Sequence, residues 1–283
     1  MAPGPASNLE RRAQTSATAS SSSSSPLDFD HRHTIPSREQ HVSPSTAQSF
    51  RPIYPDQPMS LSGISLRAFV LGAVFSSALL TTLLTLLLTS SPLWRIPFFI
   101  SALSLFHFLE YWTTAAQNTP QATISAFLLT ANWPAYPIAH AMGCLECLVR
   151  HTLFTTTTTF HLLPLLLGLA MVLTGQVVRS SAMLHAGTSF NHTVQTRKAP
   201  SHTLVTTGVY ALVRHPSYFG FFYWGLGTQL VLGNTLCFLG YAFVLWRFFR
   251  SRVRVEEDKL VEFFGDEYLT YRRRVGTLIP FVG

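Results

Sequence analysis

Charge is scarce in this chain. Asp, Glu, Lys and Arg make up 12% of its 283 residues, about half of the roughly 25% usual in soluble domains. With apolar residues at 47%, most of that charge belongs to loops and tails, as in a membrane protein. Cysteine is scarce too. Cys144, Cys147 and Cys237 lie in or beside apolar runs and are odd in number, which argues against a disulfide framework. Cys144-Leu145-Glu146-Cys147 has C-x-x-C spacing, with His140 four residues earlier. No second pair follows at finger spacing and no βαβ context surrounds it, so small residues packing between helices is the reading kept, and no metal is expected. There is no internal repeat and no strand-like alternation outside the N-terminal tail. No apolar core follows a short basic start near Met1, so a secretory signal is not expected.

What the chain has instead is long apolar runs with arginine at their ends. The formal net charge is +7, but the cations flank apolar segments rather than form a basic stripe among polar residues, so the positive-inside bias explains them better than nucleic-acid binding. Residues 1 to about 60 are rich in Ser, Thr, Pro, Gln and His, with six serines at Ser20 to Ser25, and are expected to be a disordered cytosolic tail.

Ala68 to Thr89 is an uncharged run of 22 residues, long enough to cross a hydrocarbon core of about 30 Å. Ile96 to about Trp112 is a second span, with His107 and Glu110 three apart on one face, where interhelical hydrogen bonding is the simplest role. Ile124 to Val149 carries Pro134 and Pro137 and is expected to be kinked or broken. A fourth span runs from His161 to Val178, and Arg179 to Val209 reads as a cytosolic connector. Phe219 to Trp246 holds no charge over 28 residues. A straight helix of that length would reach about 42 Å, so Gly233-Asn234 is expected to turn it into a hairpin.

The fold class expected is all-α integral membrane, with about six transmembrane helices. It divides into a tail at 1–60, helices one to four at 61–178, and a connector, hairpin and C-terminal helical catalytic region at 179–283. Gly265, after Phe263-Phe264, is the expected helix stop.

Two polar blocks flank the hairpin. In the first, Arg214-His215-Pro216-Ser217-Tyr218, Pro216 suits the first turn of a helix and His215 its cap. The N-terminus so made, with Tyr210 nearby in sequence, suits a carboxylate. In the second, Arg252 and Glu256 are spaced i, i+4 and share a helix face, while Glu257 turns to another face. A surface ion pair of that spacing contributes only about 0–1 kcal/mol; its place beside a membrane boundary is what marks it.

From about Gly175 to Phe281 the sequence closely resembles the isoprenylcysteine carboxyl methyltransferases. The pieces that carry the resemblance are Arg179-Ser180-Ser181-Ala182-Met183, Ala186 to His192, His202 to Thr206, RHPSYFGFFYW, Gly227-Thr228-Gln229, Trp246 to Arg250, Glu256-Glu257 and FFGDEYLTY. Phe106-His107 with Glu110-Tyr111 matches an earlier helix of the family. RHPxYxG alone also occurs in phospholipid methyltransferases and sterol reductases; the ordered set is far more specific.

The resemblance implies methyl esterification of the α-carboxylate of a C-terminal S-prenylcysteine, with S-adenosylmethionine as donor. Its substrates would be processed CaaX proteins such as Ras-like and Rho-like GTPases, and its place the endoplasmic reticulum membrane with the catalytic face toward the cytosol. Carried over residue by residue, the resemblance implies donor-binding roles for Gln195, His202, Thr203, Leu204, Val205, Tyr210, His215, Pro216, Ser217, Tyr218 and Glu256, and orientation of the substrate carboxylate by Arg252.

Three departures from the family pattern stand out. Gln176 replaces a common acid, Thr235 replaces a proline, and Arg254-Val255 replace two acids, the last expected to bear on donor affinity. A phospholipid N-methyltransferase, an NADPH-dependent sterol reductase and a non-catalytic transporter or scaffold are the other classes. The first needs a base to deprotonate an amine, the second a nicotinamide cofactor, and the third functional charges inside the bundle, at Glu110 and His107.

Overall fold

The computed structural model describes residues 48–154, 162–200 and 202–283, which form α-helices joined by loops and short 3-10 turns. No strand occurs among the described residues. Of the tail expected to be disordered, residues 1–47 lie outside the described residues. Its last stretch is ordered earlier than expected: a 3-10 turn forms at Arg51–Ile53 with Pro52 in its first turn, and the Pro58 carbonyl accepts from Ile124 N–H at 2.7 Å.

Helix α1 is Leu61–Leu88, and the Ser60 side chain caps it by accepting from Gly63 N–H. Its threonine hydroxyls bond back to carbonyls one turn earlier, as Thr82 does to Ala78 and Thr85 to Thr81. The helix therefore offers apolar Leu66, Phe69, Leu80 and Leu87 outward without stranded polar groups. Helix α2 is Arg95–Gln117 and packs along α1.

The segment from Ile124 to Val149, expected to be kinked or broken, is broken. A 3-10 turn at Ile124–Phe127 is followed by Leu128 and Asn132 in left-handed conformation. Helix α3, Ala135–Leu153, begins only after Pro134, which cannot donate within a helix and pushes its predecessor out of helical geometry.

Helix α4, Leu162–Ala186, runs past Val178 into the expected connector. Arg179 was expected in solvent, but it is 6% exposed inside α4, because its charge is met by a buried carboxylate from α2. The expected start of this span at His161 lies outside the described residues.

Helix α5, Pro216–Leu232, crosses α4 at two glycine pairs. A Cβ on Gly175 would lie 2.6 Å from the Gly220 carbonyl, and one on Gly168 would lie 2.9 Å from the Gly227 carbonyl. Backbone therefore meets backbone at two points seven residues apart on each helix. After Leu232, Gly233 takes φ 77°, a conformation glycine adopts without steric cost, and the chain turns.

Helix α6, Leu236–Phe264, then returns along α5. Gly225 packs against Tyr241 and Leu245, and Tyr218 reaches Arg252 and Glu256, so the two helices are antiparallel. Glu146 of α3 caps α6 by accepting from the N–H groups of Thr235, Leu236 and Cys237 at 2.7, 2.9 and 2.7 Å. Gly265, at φ 54°, stops α6 as expected. Helix α7, Asp266–Arg274, places Asp266 and Glu267 in its first turn and three arginines in its last, matching the helix dipole.

The C-terminal strap folds back, with Ile279 and Val282 joining Phe222, Leu226, Phe249 and Val253 in one apolar cluster. A second cluster of Phe106, Val172, Trp224 and Val231 ties α2, α4 and α5 together. Cys147 is buried against Phe99 and Leu232, the packing role expected of it, and no group of metal-ligating residues forms among the described residues. Three helical stretches among the described residues are long and apolar enough to cross a membrane: Leu61–Leu88, Pro92–Gln117 and Leu162–Ser189. The others fall short of that measure: α5 has 17 residues, and the second half of α6 is charged.

Candidate active site

The N-terminus of α5 and the middle of α6 are pinned together by one buried carboxylate. Glu257 Oε1 accepts from Arg214 Nε at 2.6 Å and lies 3.2 Å from His215 Nε2, and Glu257 Oε2 lies 3.5 Å from Arg272 Nη1. Burial pushes the Glu257 carboxyl up, but the His215 hydrogen bond and charge and the Arg214 guanidinium outweigh it and hold the carboxyl at about 2. Arg214 also donates to the carbonyls of Arg272 and Val275, at 3.2 and 2.5 Å, which fixes the end of α7. As expected, Pro216 occupies the first turn of α5 and His215 its cap position. Glu257, on a different face from Arg252 and Glu256, thus ties Arg214, His215 and Arg272 to α6.

One turn into α5, Tyr218 stacks on His215 with ring centroids 5.4 Å apart. Its hydroxyl donates a short hydrogen bond to Glu256 Oε2 and accepts from Arg252 Nε at 2.7 Å. Arg252 and Glu256, one turn apart on α6, are thus joined through Tyr218. Arg252 Nη2 further donates to the His192 carbonyl at 2.5 Å, which leaves Nη1 without a hydrogen bond among the described residues.

Behind these groups lies a second buried ion pair. Arg179 grips Glu110 through Nε and Nη2 at 2.5 and 2.6 Å and donates from Nη1 to the Ser217 carbonyl at 2.9 Å. Its guanidinium lies over the Phe106 and Phe221 rings. The expected interhelical role of Glu110 and His107 is what the structure shows: Glu110 joins α2 to α4, and His107 Nε2 lies 3.3 Å from the Tyr136 hydroxyl of α3, while its Nδ1 lies 2.7 Å from the Phe127 carbonyl. His192 packs between Thr114, at 3.1 Å, and Glu110, at 3.7 Å. Burial, with Glu110 opposing and Arg179 and Arg252 assisting, pulls the His192 ring down to about 4, so it is neutral at pH 7.

Two clefts meet at Ser217 and Tyr218. The first is lined by His202, Thr203, Leu204, Val205, Tyr210, His215, Pro216 and Glu256, with Leu260, Phe264 and Tyr271 on the far wall. Gln195 lies outside this cleft, in a smaller adjoining one that also touches His202 and Glu256. Among the residues that sequence reasoning singled out, it alone sits to the side. Its amide turns back on the Thr193 carbonyl at 3.1 Å. The second cleft holds Arg252 and Arg179 with the polar Asn132, Asn191 and His192, and Phe106, Leu128, Ala131, Tyr136, Phe221, Phe248 and Phe249 form its apolar and aromatic walls.

Sequence reasoning missed Asn191, which lines both clefts and the adjoining one, and His192, whose carbonyl holds Arg252. Both belong to the Ala186–His192 motif, which marked the stretch without marking the residues. The first cleft's donor set suits an amino-acid-bearing heterocycle: Glu256 for an ammonium, the hydroxyls of Ser217 and Tyr218 and the His215 ring for polar groups, and Leu204, Leu260 and Phe264 for a flat apolar ring. The second suits an apolar chain ending in a carboxylate.

Comparison with known proteins agrees with this arrangement. The model of the isoprenylcysteine carboxyl methyltransferase (ICMT) family matches residues 166–262. The chain is 49% identical over 189 residues to the protein-S-isoprenylcysteine O-methyltransferase of Saccharomyces cerevisiae, covering 65% of this chain and 79% of that one. The protein of the same name from Homo sapiens is 42% identical over 220 residues, covering 77% and 75%. Among solved structures, that of a eukaryotic intramembrane Ras methyltransferase ICMT matches with a TM-score of 0.72 and 35% identity, over 84% of this chain and 82% of that one.

Proposed function

The chain belongs to the isoprenylcysteine carboxyl methyltransferase family, and from that premise we propose how its two clefts divide the reaction. The enzyme forms a methyl ester on the α-carboxylate of a C-terminal S-prenylcysteine. The first cleft takes the donor, S-adenosylmethionine, and the second takes the prenylated cysteine. The observation that carries this reading is Tyr218, whose hydroxyl touches both Glu256 and Arg252 where the clefts meet.

The nucleophile needs no base. An α-carboxylate has a pKa of about 3.5 and is ionised at neutral pH, so the task is alignment and exclusion of water. Arg252 is held at Nε by Tyr218 and at Nη2 by the His192 carbonyl. Its Nη1 then takes one carboxylate oxygen and leaves the other aimed at the junction of the clefts. Glu256 holds the donor's ammonium from the same helix face. When bound, S-adenosylmethionine supplies an electrophilic methyl on a sulfonium. The ring-lined walls of the second cleft exclude water along the prenyl chain, each CH₂ of which is worth about 0.8 kcal/mol when buried.

The membrane arrangement follows the same reading. Helices α1, α2 and α4 cross the bilayer, and α3, α5 and α6 bring the count to about six, with α5 and α6 as a hairpin. Arg197, Arg214, Arg247, Arg250 and Arg252 then lie on one side, as the positive-inside bias favours. That side is the cytosolic face of the endoplasmic reticulum, where Ras-like and Rho-like GTPases present their processed tails. Lipid admits the prenyl chain from the side, and the polar donor enters from water.

The test is transfer of labelled methyl from S-adenosylmethionine to N-acetyl-S-farnesylcysteine by the purified chain in liposomes, with phosphatidylethanolamine and unprenylated N-acetylcysteine as controls. Base-labile ester on the prenylated cysteine alone is expected. Label on the phospholipid amine instead would overturn the carboxylate assignment.

A further inference from the structure

The departure at Arg254, expected from the sequence to bear on donor affinity, points away from the clefts. Arg247, Arg250 and Arg254 are spaced i, i+3 and i+7 on α6, so they share one face, and all three are exposed. At 100° per residue, Arg252 and Glu256 leave roughly the opposite side of the same helix. None of the three arginines has a carboxylate partner among the described residues. Arg250 lies 5.1 Å from the centroid of the Trp246 ring.

The same face is apolar on the N-terminal side of these arginines, where Leu236 and Phe243 are 76% and 63% exposed. Beyond Arg254 it turns acidic at Asp258. Exposed surface along one stripe of α6 thus passes from apolar to cationic to anionic. Seven residues separate Arg247 from Arg254, about 10 Å at 1.5 Å per residue, and arginine stems add reach. The headgroup zone flanking a bilayer core is roughly 5–8 Å deep on each side, so the cationic stretch is long enough to span it.

We propose that Arg247, Arg250 and Arg254 bind anionic phospholipid headgroups and so fix the depth and tilt of α6, the helix that carries Arg252 and Glu256. The inference rests on the reading that α6 crosses the membrane. Continuity with the exposed apolar part of the stripe favours lipid over an acidic protein as occupant. Charge complementarity names the lipid class: three unpaired cations at headgroup depth discriminate phosphatidylserine from zwitterionic phosphatidylcholine.

Spin-labelled lipids read this directly. The full chain, reconstituted in phosphatidylcholine vesicles, is expected to hold labelled phosphatidylserine severalfold more strongly than labelled phosphatidylcholine, with the preference shrinking as salt rises. Arg254→Gln should reduce the preference by roughly twofold, and the triple variant R247Q/R250Q/R254Q should abolish it. Melting temperature in detergent reports whether each variant folds. If the triple variant does not fold, Arg254→Gln and the salt titration of the unaltered chain decide. A preference that neither responds to salt nor falls in the variants overturns the proposal. So does its absence in the unaltered chain, and polyglutamate binding in its place would reassign the stripe to an acidic protein. A bimane label on Phe243→Cys, challenged with nitroxide lipids, separates the two readings. An unquenched label refutes the membrane placement of α6, whereas quenching without lipid preference refutes only the headgroup contact.

Discussion

Tyr218 is the residue on which both clefts depend, and its two hydrogen bonds can be removed without disturbing its ring. Tyr218→Phe keeps the stack on His215 but frees Arg252 Nε and Glu256 together. We expect kcat/KM for methyl transfer to fall on the order of 10- to 100-fold, by the cost of unpairing charged groups. Arg252→Ala should abolish most turnover while calorimetry still shows donor binding; unchanged turnover would remove Arg252 from the proposed carboxylate clamp. Glu256→Ala should instead weaken donor binding, and an unaltered affinity would leave Glu256 with only its bond to Tyr218. The partnership of Arg252 and Glu256 was legible from i, i+4 spacing alone. The hydroxyl between them was not, since nothing in the spacing of two residues on α6 tells which side chain of α5 stands opposite. Likewise Arg179 and Glu110 are 69 positions apart, and Arg179 sits beside a polar stretch that reads as solvent-exposed until the facing carboxylate is seen.

Helices α4 and α5 meet through glycine, so their seam is sensitive to a single methyl. Gly175→Ala or Gly220→Ala would place a Cβ 2.6 Å from the opposing carbonyl. The expected cost is about 1–3 kcal/mol from forced separation of two backbones, read as a lowered melting temperature in detergent. Gly240 of α6 is the control, because a Cβ there meets nothing within 4 Å. Gly240→Ala should be neutral or stabilising by roughly 0.5–1 kcal/mol, and equal losses at both kinds of site would refute the seam. At α6, Glu146→Gln should cost about 1 kcal/mol by weakening the cap over three N–H groups. Apolar run length placed α1, α2 and α4 to within several residues, and Gly233 and Gly265 gave the ends of α5 and α6. The start of α3 was not legible, because Pro134 and Pro137 mark a break in the run from Ile124 without telling which side stays helical.

For the molecule as a whole, the buried titratable groups set an acid limit. Glu257 is held at about 2 against an ordinary 4.5, so its contribution is complete above about pH 4.5 and is lost as pH falls toward 2. His192 is drawn to about 4 from 6.5. The unfolded chain takes up that proton first, so stability declines as pH falls from about 6.5 to 4. Melting temperature measured against pH should show both losses, and Glu257→Gln should flatten the lower one; a profile unchanged by that substitution would contradict the assignment. Turnover should show no rise through the range of amine ionisation, since a carboxylate nucleophile is ionised throughout. The shared hydroxyl of Tyr218 carries a further consequence. A ligand that takes up Glu256 changes what Tyr218 offers Arg252, and a ligand that engages Arg252 changes what it offers Glu256. Linkage makes that influence reciprocal: whatever factor donor binding multiplies into substrate affinity, substrate must return to the donor. On the proposed division of the clefts, the two halves of the reaction are therefore thermodynamically coupled before any bond is made.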